Sequence, residues 1–102
     1  MPFLKTFISC RGRGGFIHLE NVPIQAATLG EAISAAERLA DVRIIAHDPP
    51  KWFRVSDPNG DSTKYSLHDI HIRRGDSEIC PKQDLLYPLL PDDIVNIGAL
   101  AC

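Results

Sequence analysis

Residues 28–41, which read TLGEAISAAERLAD, decide the fold because they form the clearest helix pattern in the chain. Their apolar side chains recur at three- and four-residue spacing and therefore share one stripe of a helix. These side chains are Leu29, Ala32, Ile33, Ala36, Leu39 and Ala40. Thr28 with Glu31 three residues later is typical of a capping box. We predict a helix at about residues 29–41 with one apolar face that must be buried.

The segments on either side of this helix have the composition of β-strands. Residues 3–9 and 16–22 precede it, joined by the glycine-rich residues 11–15, and predict an N-terminal hairpin. Further strands are predicted after the helix, among residues 42–47, 51–55, 69–73 and 94–100. The least costly way to bury the helix stripe is to pack it on one face of a mixed sheet. We therefore predict a single α+β domain over residues 1–102, in the order β-β-α-β-β-β, in which three of these four candidates form strands after the helix.

This order, together with the closing segment, resembles the ubiquitin-like β-grasp superfamily. Residues 89–97, LLPDDIVNI, are similar to the ending of many β-grasp modules, in which a leucine, a turn and an acidic residue precede a β-branched strand. Sulfur carriers of this superfamily end in Gly-Gly, whereas residues 98–102 read GALAC, so carrier chemistry is not implied. The four-cysteine iron–sulfur site of ferredoxin-type members is not implied either, because the three cysteines are widely scattered.

Composition limits the classes of function. The 102 residues are 44% hydrophobic, which argues against disorder, and the net charge of -2 argues against a protein that coats nucleic acid. No apolar stretch approaches the roughly 20 residues of a membrane span, and the first residues lack the apolar core of a signal peptide. The three cysteines do not form a disulfide framework. We expect a soluble, cytoplasmic protein with no membrane contact and no cofactor.

Arg11, Arg13, Gly14 and Gly15 are candidates for anion binding, because two guanidinium groups and bare backbone N–H groups suit a phosphate or carboxylate. The stretch lacks the Gly-Lys-Ser/Thr ending of a phosphate-binding loop, and no helix follows it directly. The competing interpretation is a hairpin turn with solvated arginines, and we favour it.

His68, His71, Arg73 and Arg74 belong to the densest polar cluster in the sequence. A metal site or an acid–base pair is one interpretation, because histidine titrates near neutral pH and Asp69 could orient it. On a strand, however, His68 and His71 point to opposite faces, which prevents them from chelating one ion. We favour solvated surface residues and predict no metal site. Cys80 would be a nucleophile if a histidine lay alongside, but nothing local lowers its pKa, so we expect a small hydrophobic residue.

Lys51 to Arg54, KWFR, carry the strongest indication of function. Adjacent aromatic side chains on a strand point opposite ways, so one of Trp52 and Phe53 faces away from the core. An exposed aromatic flanked by cations suits a protein interface. The interface candidates are Trp52, Phe53, Arg54 and Tyr65.

We therefore predict a non-catalytic binding or assembly module that acts through protein–protein contacts, either with another protein or with itself as a homodimer. The first alternative is a small-ligand binder with a cavity between helix and sheet. The second is a small hydrolase or nuclease that uses His68, His71, Arg73 and Arg74, and the acidic net charge counts against it.

Overall fold

One helix packs against one face of a mixed sheet in the computed structural model, which describes residues 1–10, 16–48, 51–61 and 63–99. Within these residues the elements are β1 (Phe3–Ser9), β2 (Phe16–Pro23), α1 (Leu29–Ala40), β3 (Arg43–Ala46), β4 (Phe53–Ser56), β5 (Ser66–Arg74), β6 (Ser77–Ile79) and β7 (Ile94–Ala99). The predicted α+β class, a mixed sheet with one main helix, is confirmed. Five strands follow the helix, two more than the three in the predicted order.

Capping interactions at Thr28 and Asp41 determine where the helix begins and ends. The Thr28 side chain accepts a hydrogen bond from the Glu31 N–H, and the Glu31 carboxylate accepts one from the Ala27 N–H, so the predicted capping interaction is present. Asp41 has the left-handed backbone angle φ of 54°, which ends the helix at Ala40. The predicted end at about residue 41 is therefore one residue too late, because Asp41 is the C-cap.

The sheet has the strand order β2-β1-β7-β5-β4-β3, and β6 pairs with the far end of β5. The last strand, β7, lies in the middle, parallel to β1 and antiparallel to β5. A β-bulge in β2 opposite Lys5 includes Asn21, whose φ is 48°. This order leaves β3 at one edge of the sheet, next to the helix.

Alternating side chains give the sheet a buried face and an open face. On the buried face, side chains from β1, β4, β5 and β7 pack with the helix stripe. They include Leu4, Ile8, Phe53, Val55, Ile70, Ile72, Val95 and Ile97. On the open face, polar side chains such as Asp69, His71 and Arg73 of β5 lie next to one another. The sequence pattern therefore determines which side chains are available for binding.

The segment that precedes β7 is tied to the start of α1. The Leu29 and Gly30 N–H groups donate to the carbonyls of Tyr87 (2.9 Å) and Leu85 (2.8 Å). These bonds satisfy two of the backbone donors that a helix N-terminus leaves unpaired. A side chain at Gly30 would bring its Cβ to 3.1 Å from the Leu85 oxygen, so glycine permits this close approach. Leu85 is consequently held beside the helix, where it forms part of a cavity wall.

An ion pair between the half-buried Arg74 and the buried Asp93 anchors the same segment to β5. The Arg74 guanidinium donates to both carboxylate oxygens of Asp93, at 3.0 and 2.8 Å, and the Leu90 N–H donates to the same carboxylate. The Asp93 side chain is 1% exposed. The hydrogen bond from Arg74 holds the pKa of Asp93 below its ordinary value.

We expect Asp93→Asn to lower the free energy of unfolding by about 1–3 kcal/mol, because an amide nitrogen would replace one acceptor of charge-assisted hydrogen bonds. A depressed carboxylate pKa stabilises the fold above the ordinary value of 3.8, and this stabilisation is lost as the pH falls through the lower folded value. Urea unfolding near pH 7 and near pH 3 should therefore show a smaller difference between Asp93→Asn and the wild type at low pH. Asp92→Asn, at the exposed neighbouring residue, is the control. An equal effect of both substitutions would contradict this role of Asp93.

Candidate functional site

The four interface candidates lie on or beside β4, but on different sides of it. Phe53 is 2% exposed and belongs to the core, so its side chain is not available at the surface. Trp52 is half-buried, with the Lys51 ammonium 4.5 Å from its ring centre. Arg54 and Tyr65 are half-buried as well. The two adjacent aromatic side chains differ in burial, and it is Phe53 rather than Trp52 that lies in the core.

Arg54 is the centre of a small cluster on the open face beside β3. Its Nε donates to His47 Nδ1 at 2.8 Å, and its guanidinium lies 4.7 Å from the centre of the Tyr65 ring. The rings of His47 and Tyr65 are themselves 5.8 Å apart. Because an aromatic face attracts a cation, Tyr65 holds the guanidinium without neutralising it. The cluster therefore presents a positive charge next to the edge of the sheet.

The edge strand β3 has backbone groups that no neighbouring strand uses. The His47 N–H donates to the Trp52 carbonyl. Since backbone groups alternate in direction along an antiparallel strand, the N–H and C=O groups of Ile44 and Ala46 point away from β4. The Ile44 N–H is bound instead by the Glu37 carboxylate of the helix, at 3.0 Å. The Ala46 N–H has no partner among the described residues. This edge can therefore accept another strand at Ala46.

A cavity of about 330 Å³ opens between α1 and β3. Apolar side chains form most of its lining, and small residues on the helix and the strand make the space. The lining residues are Gly30, Ile33, Ser34, Glu37, Ile44, Ile45, Ala46, Phe53, Gln83 and Leu85. Ile45 and Leu85 at its border are 41% and 49% exposed. The volume is at the lower end of ligand sites, which are roughly 300–1,000 Å³.

His68 does not belong to a surface site. It is fully buried; its Nε2 accepts a hydrogen bond from the Ser9 N–H at 3.1 Å, and its Nδ1 lies 3.3 Å from the Ser66 carbonyl. A neutral ring with its proton on Nδ1 satisfies both contacts. Burial lowers the pKa of His68, since a charged imidazolium would lose its hydration. His68 is therefore a structural residue that links β5 to the end of β1.

His71 has the opposite surroundings, because it lies on the open face of β5. Its Nε2 is 2.8 Å from Asp69 Oδ2, and its Nδ1 is 3.1 Å from Glu78 Oε1. Cys80 lies beside the same ring, so the structure brings a thiol, an imidazole and carboxylates together. His68 and His71 point to opposite faces, as a strand requires. Arg74 is engaged by Asp93, and Arg73 is exposed on the open face.

Two features of these surfaces were not predicted from the sequence, namely the approach of His71 to Cys80 and the hydrogen bond from the Ile44 N–H to Glu37. The β5–β6 pairing matches Ile72 with Ile79, and the next step places His71 opposite Cys80, so a histidine does lie beside this thiol. The Gly75-Asp76 turn signal between the strands would have revealed this pairing. The hydrogen bond to Glu37 had no local signal in the sequence, whereas a cavity between helix and sheet was predicted as part of the small-ligand alternative. The anion-binding candidates Arg11, Arg13, Gly14 and Gly15 lie outside the described residues.

Comparisons with known proteins identify no relative. No family model, no curated protein and no solved structure matches the chain. Among the described residues, α1 spans 12 positions, and no helix there has the length and hydropathy to cross a membrane.

Proposed function

We propose that this protein is a non-catalytic binding module that takes up an extended segment of another protein as an additional strand along β3. The observation that carries this proposal is the outward Ala46 N–H at the edge of β3, which has no partner among the described residues and lies beside an apolar cavity. Strand addition obtains affinity from main-chain hydrogen bonds and specificity from pockets for alternate side chains. Ala46 offers the main-chain donor, and the cavity offers the pocket.

The chemistry of the two sides of β3 specifies the incoming segment. On the helix side, the cavity between Ile33 and Leu85 accepts an apolar side chain. On the open face, Arg43 and Arg54 bind a carbonyl and a histidine nitrogen, and neither forms an ion pair with a carboxylate in the described part of the chain. Two guanidinium groups without such partners favour acidic side chains. The partner segment therefore alternates apolar and acidic residues.

A second copy of the chain fits this edge less well than a different protein. Pairing of two β3 strands would bring another Arg43 and another Arg54 to a face that is already positively charged. Like charges placed opposite each other on a sheet are destabilising. We therefore favour a heterologous partner over a homodimer. Sedimentation of the protein alone would reveal a homodimer as a species of twice the mass.

The fold supports a further proposal, that the chain has a β-grasp architecture. An N-terminal hairpin, one helix and then strands that end in β7 are the order on which the resemblance rests. The edge of β3 and the cavity beside it support the binding proposal whether or not the fold is a β-grasp.

Panning a random dodecapeptide library on the immobilised protein tests the proposal. We expect enriched sequences that alternate apolar and acidic residues, and we expect Ala46→Pro to weaken their binding roughly 2–10-fold. Proline removes the outward N–H, and one lost hydrogen bond of about 0.5–1.5 kcal/mol approaches the 1.4 kcal/mol that changes affinity tenfold. Ala46→Ser keeps the N–H and is the matched control.

Charge reversal tests the other face of β3 independently. Arg54→Glu should abolish binding of acidic sequences, whereas Arg73→Glu, on the same open face but on β5, should leave it nearly unchanged. If the enriched peptides bind Ala46→Pro and Arg54→Glu as tightly as the wild type, or if no sequence is enriched, strand addition at β3 is excluded.

A further inference from the structure

His71 lies between two carboxylates in a way that a neutral ring cannot satisfy. Asp69 Oδ2 is 2.8 Å from Nε2, and Glu78 Oε1 is 3.1 Å from Nδ1. A neutral imidazole carries one N–H, so it can donate to only one of these oxygens. At the other nitrogen a lone pair faces a carboxylate oxygen, and either a second proton or a metal ion between them relieves this repulsion.

Cys80 supplies a third donor at the same position. One donor atom each from Asp69, His71 and Cys80 lies within 4.8 Å of the other two. Tetrahedral zinc bonds of about 2.0–2.3 Å place donor atoms roughly 3.3–3.8 Å apart, so modest side-chain rotations close the cluster. The backbone favours this arrangement, since Asp69 and His71 are two residues apart on β5 and Cys80 lies across the β5–β6 pair.

We propose that Asp69, His71 and Cys80 form a binding site for one Zn²⁺ ion on the open face of the sheet. A nitrogen, an oxygen and a sulfur donor suit this borderline-soft metal. Nε2 of His71 binds the metal, and Nδ1 donates its proton to Glu78, which positions the ring in the way that outer carboxylates orient metal-binding histidines. Cys80 binds as the thiolate and releases its proton to solvent.

An acid–base or nucleophilic role for these residues is less well supported. A catalytic histidine needs one ring nitrogen directed at the thiol, whereas both nitrogens of His71 face carboxylates. Binding of an ion joins β6 to β5 across the turn at Gly75, whose φ is 61°. The site therefore stabilises this hairpin, and it is independent of the proposed strand addition at β3.

Titration with Co²⁺ tests the site, because a cobalt–thiolate bond has a charge-transfer absorption. The protein is used in reductant and in a Cys102→Ser background, which removes the C-terminal thiol. We expect one equivalent of Co²⁺ to give this absorption, Zn²⁺ to displace it, and Zn²⁺ to raise the Tm. Cys80→Ser should abolish the absorption, and Glu78→Ala should weaken affinity about 10–100-fold.

His18→Ala is the matched control for His71→Ala, because His18 pairs with Glu20 at 2.9 Å without a neighbouring thiol among the described residues. His71→Ala should lose most of the cobalt affinity, and His18→Ala should retain it. The side chains of His18, His71, Glu78 and Cys80 are partly or largely exposed, so circular dichroism should show an intact fold in each of these variants. Absence of the absorption in the parent protein, or its persistence in Cys80→Ser, would overturn the proposal.

Discussion

Phe53→Ala is expected to lower the free energy of unfolding by about 3–5 kcal/mol, which would be the largest effect of a single substitution considered for this chain. Phe53 is 2% exposed, and among the described residues it is the largest of the fully buried side chains. Its removal costs the transfer free energy of the ring and leaves a void next to the α1–β3 cavity. Urea denaturation monitored by circular dichroism measures the change.

Two controls test whether the loss of stability comes from the packing of the Phe53 ring. Phe53→Leu keeps most of the volume and should cost clearly less than Phe53→Ala. Trp52→Ala removes a half-buried neighbour on the other side of the strand and should also cost less. A loss below about 1 kcal/mol in Phe53→Ala would show that the ring does not belong to the core.

The second large effect is expected at His68, where alanine should cost about 2–4 kcal/mol at neutral pH. The substitution removes a fully buried ring and leaves the Ser9 N–H without its acceptor. A void and an unpaired buried donor each contribute to this loss. Thermal or urea unfolding of the variant measures it, and His18→Ala, at an exposed position, is the control.

His68 should also make stability depend on pH. Its folded pKa is lowered, chiefly by burial, so the unfolded chain takes up a proton first as the pH falls. Its contribution is therefore complete above the ordinary value of 6.5 and decreases as the pH falls from 6.5 towards the lower folded value. The wild type should lose stability between pH 7.5 and pH 5.5 more steeply than His68→Ala. Equal slopes for the two proteins would contradict a neutral, buried His68.

Local patterns predicted the helix well because its determinants are close together in the chain. The stripe, the Thr28 cap and Glu31 all lie within a few residues, and only the C-terminal boundary moved, from residue 41 to Ala40. The count of strands after the helix was too low. Strand β6, for example, has only three residues, and its pairing with β5 stabilises it more than its composition does.

The binding surfaces were less accessible to prediction because they depend on strand order. Periodicity indicated that Trp52 and Phe53 point apart, but only their packing shows which one is buried. That β3 becomes an edge, and that Glu37 reaches the Ile44 N–H, follows from long-range placement of α1 against the sheet. His71 and Cys80 are an intermediate case, because the hairpin register alone would have placed them together.

Amide hydrogen exchange at Ala46 tests strand addition at β3 most directly. In the free protein, the Ala46 N–H should exchange rapidly, whereas the Ile45 N–H, which faces β4, should be protected. A saturating peptide that alternates apolar and acidic residues should slow exchange at Ala46 about tenfold or more. Unchanged exchange at Ala46 in the presence of a bound peptide, with protection elsewhere on the surface, would contradict binding at this edge.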